Sequence, residues 1–257
     1  MNPMPSAIHA RKLTRRFGDF TAVDAVDLDV PEGALYGFLG LNGAGKSTTI
    51  RMLCGLLPPT AGEAKVAGFD VARETLDVRR RVGLIADLEA AQAHPSWTGR
   101  EYLAYFARLW GLDHAELRAE ALLDQVALAP EWRKRPMRAY STGMRRRVEV
   151  ARAMLGQPRV LFLDEPTRGL DLPAKRDMWA WLRLVAREEG MTVFLSSHEV
   201  REIRSLCDEI TVIAKGGIVH RGPTSALGAS DVDAEQELVR LLESDARHAI
   251  ASSPCEG

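Results

Sequence analysis

The chain is poor in cysteine. Its 257 residues include only three, Cys54, Cys207 and Cys255, and they lie far apart. No two of them have the short spacing of a zinc site or a redox dithiol, so the sequence predicts neither. We therefore expect a protein of a reducing compartment, the cytoplasm.

Long apolar runs are also missing. No segment approaches the roughly 18 apolar residues that a membrane-spanning helix needs. Residues 1–12 contain no apolar core of signal-peptide length. If this protein works at a membrane, we expect another chain to cross it.

Neither sign of charge is in excess. The 34 Lys and Arg residues balance 35 Asp and Glu residues, for a net charge of −1. This balance does not favour nucleic acid or an anionic membrane surface as a partner. A basic cluster at residues 133–147 is more simply a solvated helix face near a phosphate site. The length and a hydrophobic content of 46% suit one large domain, or one domain with a sub-domain.

The sequence does contain a complete phosphate-binding loop. Residues 40–48 read GLNGAGKST, between a short apolar run that predicts a buried strand and a segment that predicts a helix. Glycines allow successive backbone N–H groups to face one anion, and the helix N-terminus favours negative charge. The alternative, a glycine-rich turn with an exposed lysine, fits this context poorly. The residues expected to hold a nucleoside triphosphate are Gly40, Asn42, Gly43, Ala44, Gly45, Lys46, Ser47 and Thr48.

A second apolar strand ends in acidic residues. Residues 160–163 read VLFL and are followed by Asp164 and Glu165. An apolar strand that ends in a carboxylate is the usual second half of a phosphate-loop site, where it serves Mg²⁺. Ser47 is the expected hydroxyl ligand of the same ion.

The remaining pattern predicts an α/β fold. Residues 8–16 and 22–30 read as antiparallel strands, and later strands alternate with helices, which indicates a mainly parallel sheet. Residues 88–136 are rich in helix formers and include a capping box from Thr98 to Glu101, and Asp113 with Glu116 predicts the start of a second helix. We expect a phosphate-loop NTPase core with an N-terminal antiparallel β sub-domain and an inserted α-helical sub-domain at about residues 88–150. Residues 1–228 would form the nucleotide-binding domain and residues 229–257 a short acidic extension, in which Ser230 and Asp233 predict the cap of a short helix.

At Ser141 the motifs resemble a known family. The segment STGM at 141–144, LFLDEPT at 161–167, GLD at 169–171 and His198 follow the phosphate loop in the order and spacing of ATP-binding-cassette (ABC) ATPases. The resemblance covers about residues 6–225. It is strongest to the separate-chain ATPase subunits of exporters, including antibiotic-resistance transport ATPases.

The resemblance implies roles for single residues. Asp164 would hold Mg²⁺, Glu165 would polarise the attacking water, and His198 would contact the γ-phosphate that Lys46 also binds. Phe17 matches the aromatic that stacks on adenine, although the residues alone favour packing of its ring in the sheet.

The resemblance also implies partners. Ser141 and Gly143 match the signature that binds the γ-phosphate held by an opposite protomer, and Asp171 matches an aspartate across the dimer interface. We therefore expect a second ATPase subunit, in a homodimer, and a separate multi-span transmembrane permease. The chain would lie in the cytoplasm on the inner face of the cell membrane. A soluble non-transport ABC ATPase is the alternative, and no nucleic acid partner is expected.

Four positions depart from the family pattern. Asp87 stands where a glutamine is usual, and it still offers an oxygen towards Mg²⁺ or its water. Thr142 and Met144 replace a glycine and a glutamine in the signature. Phe17 lacks the hydroxyl of a tyrosine. No phosphate, metal or water-activating group is lost, so we expect an active Mg-dependent ATPase.

Overall fold

The computed structural model describes residues 6–86, 94–188, 190–228 and 230–251. In chain order its strands and helices are β1 (Ser6–Phe17), β2 (Phe20–Pro31), β3 (Leu35–Leu39), α1 (Lys46–Leu53), β4 (Ala61–Val66), β5 (Phe69–Asp70), α2 (Thr75–Arg81), β6 (Val82–Ile85), α3 (Gly99–Leu109), α4 (Ala115–Gln125), α5 (Pro130–Arg133), α6 (Thr142–Met154), β7 (Val160–Asp164), α7 (Leu172–Glu188), β8 (Thr192–Ser197), α8 (Val200–Leu206), β9 (Glu209–Ala214), β10 (Gly217–Pro223) and α9 (Asp231–Ala251).

A six-stranded sheet in the order β10-β9-β3-β8-β7-β6 carries the site. All its neighbouring strands pair in parallel except β9 and β10, which form an antiparallel hairpin. Strands β3 and β8 are buried at every position, as expected where both faces of a parallel sheet are covered. The predicted mainly parallel sheet is confirmed. Because parallel strands end at one edge, the loops after β3, β8 and β7 meet there.

A four-stranded antiparallel sheet in the order β2-β1-β4-β5 covers the start of the chain. The two long strands β1 and β2 form a hairpin in which Phe17 pairs with Phe20. Several register shifts interrupt this pairing, three of them between Ala10 and Arg16. The predicted N-terminal antiparallel strands are therefore present, and both are longer than the sequence pattern indicated.

Helices follow one another between β6 and β7. The predicted capping box is confirmed, because the Thr98 hydroxyl and the Glu101 carboxylate each accept a backbone N–H of the other residue. The second helix was expected to begin at Asp113, but its N-cap is His114 in a left-handed conformation. Buried side chains of α3 and α4 share one core with those of α6. The limits of a helical sub-domain at residues 88–150 stay a prediction.

The last helix, α9, begins as predicted. Ser230 N donates to the Asp233 carboxylate at 3.0 Å, and Asp233 N donates to the Ser230 hydroxyl at 3.1 Å. Ala234 and Leu238 are buried against the chain's own core. Its 21 residues make it longer than the short helix expected. Within the described ranges, no helix is both long and apolar enough to cross a membrane.

The carboxylate of Asp29 on β2 ties the two sheets together. It lies 2.5 Å from His9 Nδ1 and 2.9 Å from Arg11 Nη2 on β1, and 3.5 Å from Arg221 Nη1 on β10. Partial burial raises the pKa of Asp29, but hydrogen bonds and charges from Arg11 and His9 outweigh this and hold the pKa below its ordinary 3.8. The ionised carboxylate is therefore favoured in the folded state.

We expect Asp29→Asn to lower the free energy of unfolding by about 1 kcal/mol at neutral pH, because charge-assisted hydrogen bonds are lost from a partly exposed site. A lowered folded-state pKa gives stability that is present above about pH 4 and is lost as the pH falls through that pKa. Urea unfolding of both proteins should therefore show a constant difference from about pH 6 to 8 that shrinks below pH 4. A difference in unfolding free energy that does not depend on pH would contradict the lowered pKa of Asp29.

Candidate functional site

The loop between β3 and α1 is shaped by glycines. Gly45 is the N-cap of α1 at φ 107°, and a Cβ there would lie 2.6 Å from the Ala22 carbonyl oxygen. A Cβ at Gly40 would lie 2.4 Å from the Ile213 carbonyl oxygen. Both approaches are closer than a side chain permits, so the loop requires glycine at these two positions.

The loop borders a cavity of about 670 Å³ at the carboxyl edge of the parallel sheet. Of the predicted loop residues, those that line it are Asn42, Gly43, Gly45, Lys46, Ser47 and Thr48. Gly40 and Ala44 are also part of the loop but do not line the cavity, and Ala44 is only 5% exposed. The loop is therefore arranged as a cradle beside an open cavity, as the sequence predicted.

Lys46 is held inside this cradle. Its side chain is only 5% exposed, and Nζ donates to the carbonyls of Gly40 at 2.7 Å and Leu41 at 3.1 Å. Nζ also lies 3.4 Å from Glu165 Oε1. A buried ammonium is costly unless it is paired and hydrogen-bonded, and here the loop carbonyls and one carboxylate meet that need.

The acidic pair follows β7. Ser196 on β8 donates its hydroxyl to Asp164 Oδ1 at 2.6 Å, and Glu165 N bonds to the same hydroxyl at 3.1 Å. Glu165 has φ 49°, a left-handed conformation that is uncommon for a residue with a side chain. This turn ends the strand, and the Glu165 carboxylate reaches Lys46.

Glu165 and His198 meet at the far side of Lys46. Nδ1 of His198 lies 3.3 Å from Glu165 Oε1. The other carboxylate oxygen, Oε2, is buried and has no hydrogen-bond partner among the described residues, and Arg168 Nη1 lies 4.0 Å from it. A buried oxygen without a partner in a polar cavity is suited to hold a water or a polar ligand. The structure thus brings together all three residues that were predicted to be catalytic.

Ser47 and Asp164 line the same cavity. A hydroxyl and a carboxylate are the oxygen ligands that Mg²⁺ prefers, with phosphate and water oxygens filling the other positions. When bound, the ion would neutralise charge on the phosphates. Within the described ranges, no cluster of three or more His, Cys, Asp or Glu could hold a metal by itself. The residues present therefore fit Mg²⁺ that arrives with a nucleotide, and Asp87, the third predicted ligand, lies outside the described residues.

Sequence reasoning missed several residues around the cavity. The described residues that line it but were not predicted are Phe20, Ala22, Arg51, Ala86, Arg146, Arg168 and Gly169. Among the described lining residues the aromatic one is Phe20, not Phe17. Phe17 is 47% exposed and has the Arg15 guanidinium carbon 4.6 Å from its ring centroid. The signal for Phe20 was its place opposite Phe17 in the predicted hairpin.

The remaining predicted residues meet elsewhere. Ser141, Gly143 and Asp171 line a second cavity of about 640 Å³, between the starts of α6 and α7. Ser141 Oγ accepts from Met144 N at 3.2 Å, and Asp171 Oδ1 accepts from Ala174 N at 2.9 Å. Ser141 is therefore the N-cap of α6, and Asp171 is the N-cap of α7. None of the three lines the phosphate-loop cavity of the described structure.

Comparison with known proteins decides the family. The profile of the ABC transporter family matches residues 23–168, more than half of the chain. The chain belongs to the ABC transporter family. ABC transporters couple ATP to transport, and the chain is accordingly their ATP-binding and ATP-hydrolysing subunit.

Relatives of this ABC subunit include one protein named for drug resistance and one named for bacitracin transport. It is 39% identical to the daunorubicin/doxorubicin resistance ATP-binding protein DrrA of Streptomyces peucetius, over 95% of this chain and 77% of that protein. It is 37% identical to the bacitracin transport ATP-binding protein BcrA of Bacillus licheniformis, over 86% of this chain and 71% of that protein. Its fold is similar to that of CbiO1 from Clostridium perfringens, with a TM-score of 0.79 and 23% identity over 95% of this chain and 97% of that one.

We expect Lys46→Ala to weaken ATP binding by roughly tenfold or more, because a charge-assisted phosphate contact of about 1.5–3 kcal/mol is removed. The measurement is titration with a fluorescent ATP analogue in the presence of Mg²⁺. Lys65 on β4 is exposed and does not line the cavity among the described residues, so Lys65→Ala is the matched control. Equal affinities for the two variants would contradict the role of Lys46.

Proposed function

We propose that this chain is the ATPase subunit of an exporter, and that two copies form a homodimer around two ATP molecules. The dimer drives a separate multi-span permease from the inner face of the cell membrane. The exporter assignment is supported by the relatives named for resistance to daunorubicin and for export of the Nod factor. The permease is inferred because no described helix could span a membrane.

The observation that carries the dimer is the separation of the two cavities. Ser141 and Gly143 belong to the start of α6, where a helix of 13 residues presents unpaired N–H groups that favour an anion. The phosphate loop of the same chain borders the other cavity. An anion for the first cavity must therefore come from another molecule, and the γ-phosphate held by a second copy has the right charge. Asp171, at the rim of the same cavity, would face that copy.

Within each site the functional residues lie at the ends of three neighbouring strands, β3, β7 and β8. Lys46 would bind the β- and γ-phosphates, and Ser47 and Asp164 would hold Mg²⁺. Glu165 would orient the attacking water through Oε2, which has no hydrogen-bond partner among the described residues. His198 contacts the γ-phosphate and lies against the same carboxylate. An aromatic of the β1–β2 hairpin stacks on adenine. Phe20 lines the cavity, and Phe17 is its neighbour in the hairpin.

We expect Glu165→Gln to bind ATP but to lose most turnover, because the amide keeps the shape of the site and cannot take up a proton from water. In the presence of ATP the variant should then accumulate as a stable dimer. Sedimentation with Mg-ATP and with Mg-ADP measures it, and the dimer should form only with ATP. A monomer under both conditions, alone and with the permease present, would contradict the composite site.

Asp87 provides a test that separates a transporter from a soluble ATPase. It follows Ala86, which ends the described part of this segment and lines the phosphate-loop cavity. A residue at this position can connect Mg²⁺ to the helices that a permease would contact. We expect Asp87→Ala to bind ATP nearly as well as wild type, and to lose most of the stimulation of its ATPase by the permease.

Asp87→Gln, which keeps an oxygen at this position, should retain most of that stimulation. The measurement is ATPase activity and transport in vesicles reconstituted with a candidate permease, a multi-span protein encoded by a neighbouring gene. Undiminished stimulation of Asp87→Ala would mean that Asp87 only caps the following segment. No stimulation of the wild type by that permease would favour the soluble alternative.

A further inference from the structure

A buried glutamate, Glu202 on α8, joins the loops that follow β7 and β8. Its side chain is 2% exposed. Thr167, in the loop after β7, donates its hydroxyl to Oε1 at 2.5 Å, and Ser197, at the end of β8, donates to Oε2 at 2.6 Å. Trp179 on α7 donates Nε1 to Oε1 at 3.2 Å. All three partners donate, so they satisfy the carboxylate in its ionised form.

A buried ionised carboxylate is a poor way to gain stability. Removing it from water is costly, and apolar side chains of similar volume often stabilise the fold as well or better. Directional bonds from fixed donors do provide one thing that apolar packing lacks, because they select a single arrangement of the groups they join. The question is therefore which arrangement Glu202 selects.

Glu202 binds the two loops beyond the last β7–β8 pair, where the sheet no longer aligns them. The β7–β8 pairing ends with Asp164 opposite Ser196. Thr167 lies three residues past that pair and is 2% exposed, and Ser197 is the last residue of β8. The Thr167–Glu202–Ser197 link continues the alignment of the loops in side-chain hydrogen bonds.

A second contact lies on the other side of His198. Lys175 on α7 donates Nζ to both carboxylate oxygens of Glu199 at 2.8 Å, and Glu199 N donates to Ser197 Oγ at 3.0 Å. Glu199 is 42% exposed, so this pair contributes less than a buried one. Both neighbours of His198 are thereby tied to the segment around Asp171, which caps α7.

We propose that Glu202 is a positioning residue for ATP hydrolysis. It fixes the loop that begins with His198 against the loop that begins with Glu165, so that the two side chains meet 3.3 Å apart. It also fixes Asp171 relative to both, because the second loop continues into the cap of α7. This inference rests on the proposed roles of Glu165 and His198.

The test uses two near-isosteric variants of the full chain. Glu202→Gln leaves one acceptor oxygen where two served, and Thr167→Val removes the hydroxyl that donates to it. Each should lower kcat for ATP about tenfold or more, since small displacements of reacting groups have effects of this size. The Kd for ATP should change by less than about twofold, because the phosphate loop is untouched. The double variant should be no slower than the slower single one, because both remove one shared interaction.

Tyr102→Phe is the matched control. Tyr102 donates its hydroxyl to another buried carboxylate, Glu149, at 2.8 Å, on α3 and α6. Its removal should lower Tm while kcat stays that of the wild type. If Glu202→Gln and Thr167→Val behave in the same way, with lower Tm and unchanged kcat, Glu202 is only structural and the proposal is overturned. Should Glu202→Gln not fold, Thr167→Val and Ser197→Ala give the same comparison.

Glu165→Gln separates failure of this proposal from failure of the proposed function. If it loses turnover while Glu202→Gln and Thr167→Val keep wild-type kcat, only the role of Glu202 is wrong. If Glu165→Gln keeps wild-type turnover, the proposed function fails, and the role of Glu202 fails with it because there is no catalytic carboxylate to position.

Discussion

The contact between Lys46 and Glu165 is the constraint on which the site depends. Their side chains are 5% and 15% exposed, and Nζ lies 3.4 Å from Oε1. Either charge alone would be costly to remove from water, so each makes the burial of the other tolerable. Because one residue follows β3 and the other follows β7, the phosphate loop reaches this arrangement only when the sheet is complete. The cradle therefore exists before ATP arrives, and binding need not spend free energy on ordering it.

Strand order explains why three motifs so distant in sequence form one site. Strand β8 lies between β3 and β7 and pairs with both. Its last residues supply Ser196 to the acidic pair, and His198 follows directly. The sequence predicted that apolar strands precede Lys46, Glu165 and His198, and the common edge of a parallel sheet then predicts their convergence. The sequence did not predict that the strand before His198 lies between the other two strands, because strand order is decided by tertiary packing.

Where sequence reasoning failed, the missing information was three-dimensional. Phe17 and Phe20 are opposite each other in a hairpin, and both are exposed. Alternation along a strand assigns faces only while the register is regular, and β1 has several register shifts. Glu202 gave no signal at all, since an acidic residue on a short helix is ordinarily solvated. Its importance appears only when Thr167 and Ser197 are seen to donate to it. By contrast, capping residues such as Thr98 and Ser230 act within four residues, and these were predicted correctly.

Both cavities favour an anion, so in the proposed dimer ATP would have a different effect from ADP. Ser141 Oγ accepts a hydrogen bond from Met144 N, yet its own proton remains available to a phosphate oxygen. The start of α6 is therefore a surface of hydrogen-bond donors, and the phosphate loop of a second copy would hold an anion that is only partly surrounded. A ligand shifts an equilibrium only by its difference in affinity for the two states. In the proposed dimer the γ-phosphate would reach both surfaces at once, so its loss on hydrolysis would remove the difference in affinity that favours the dimer.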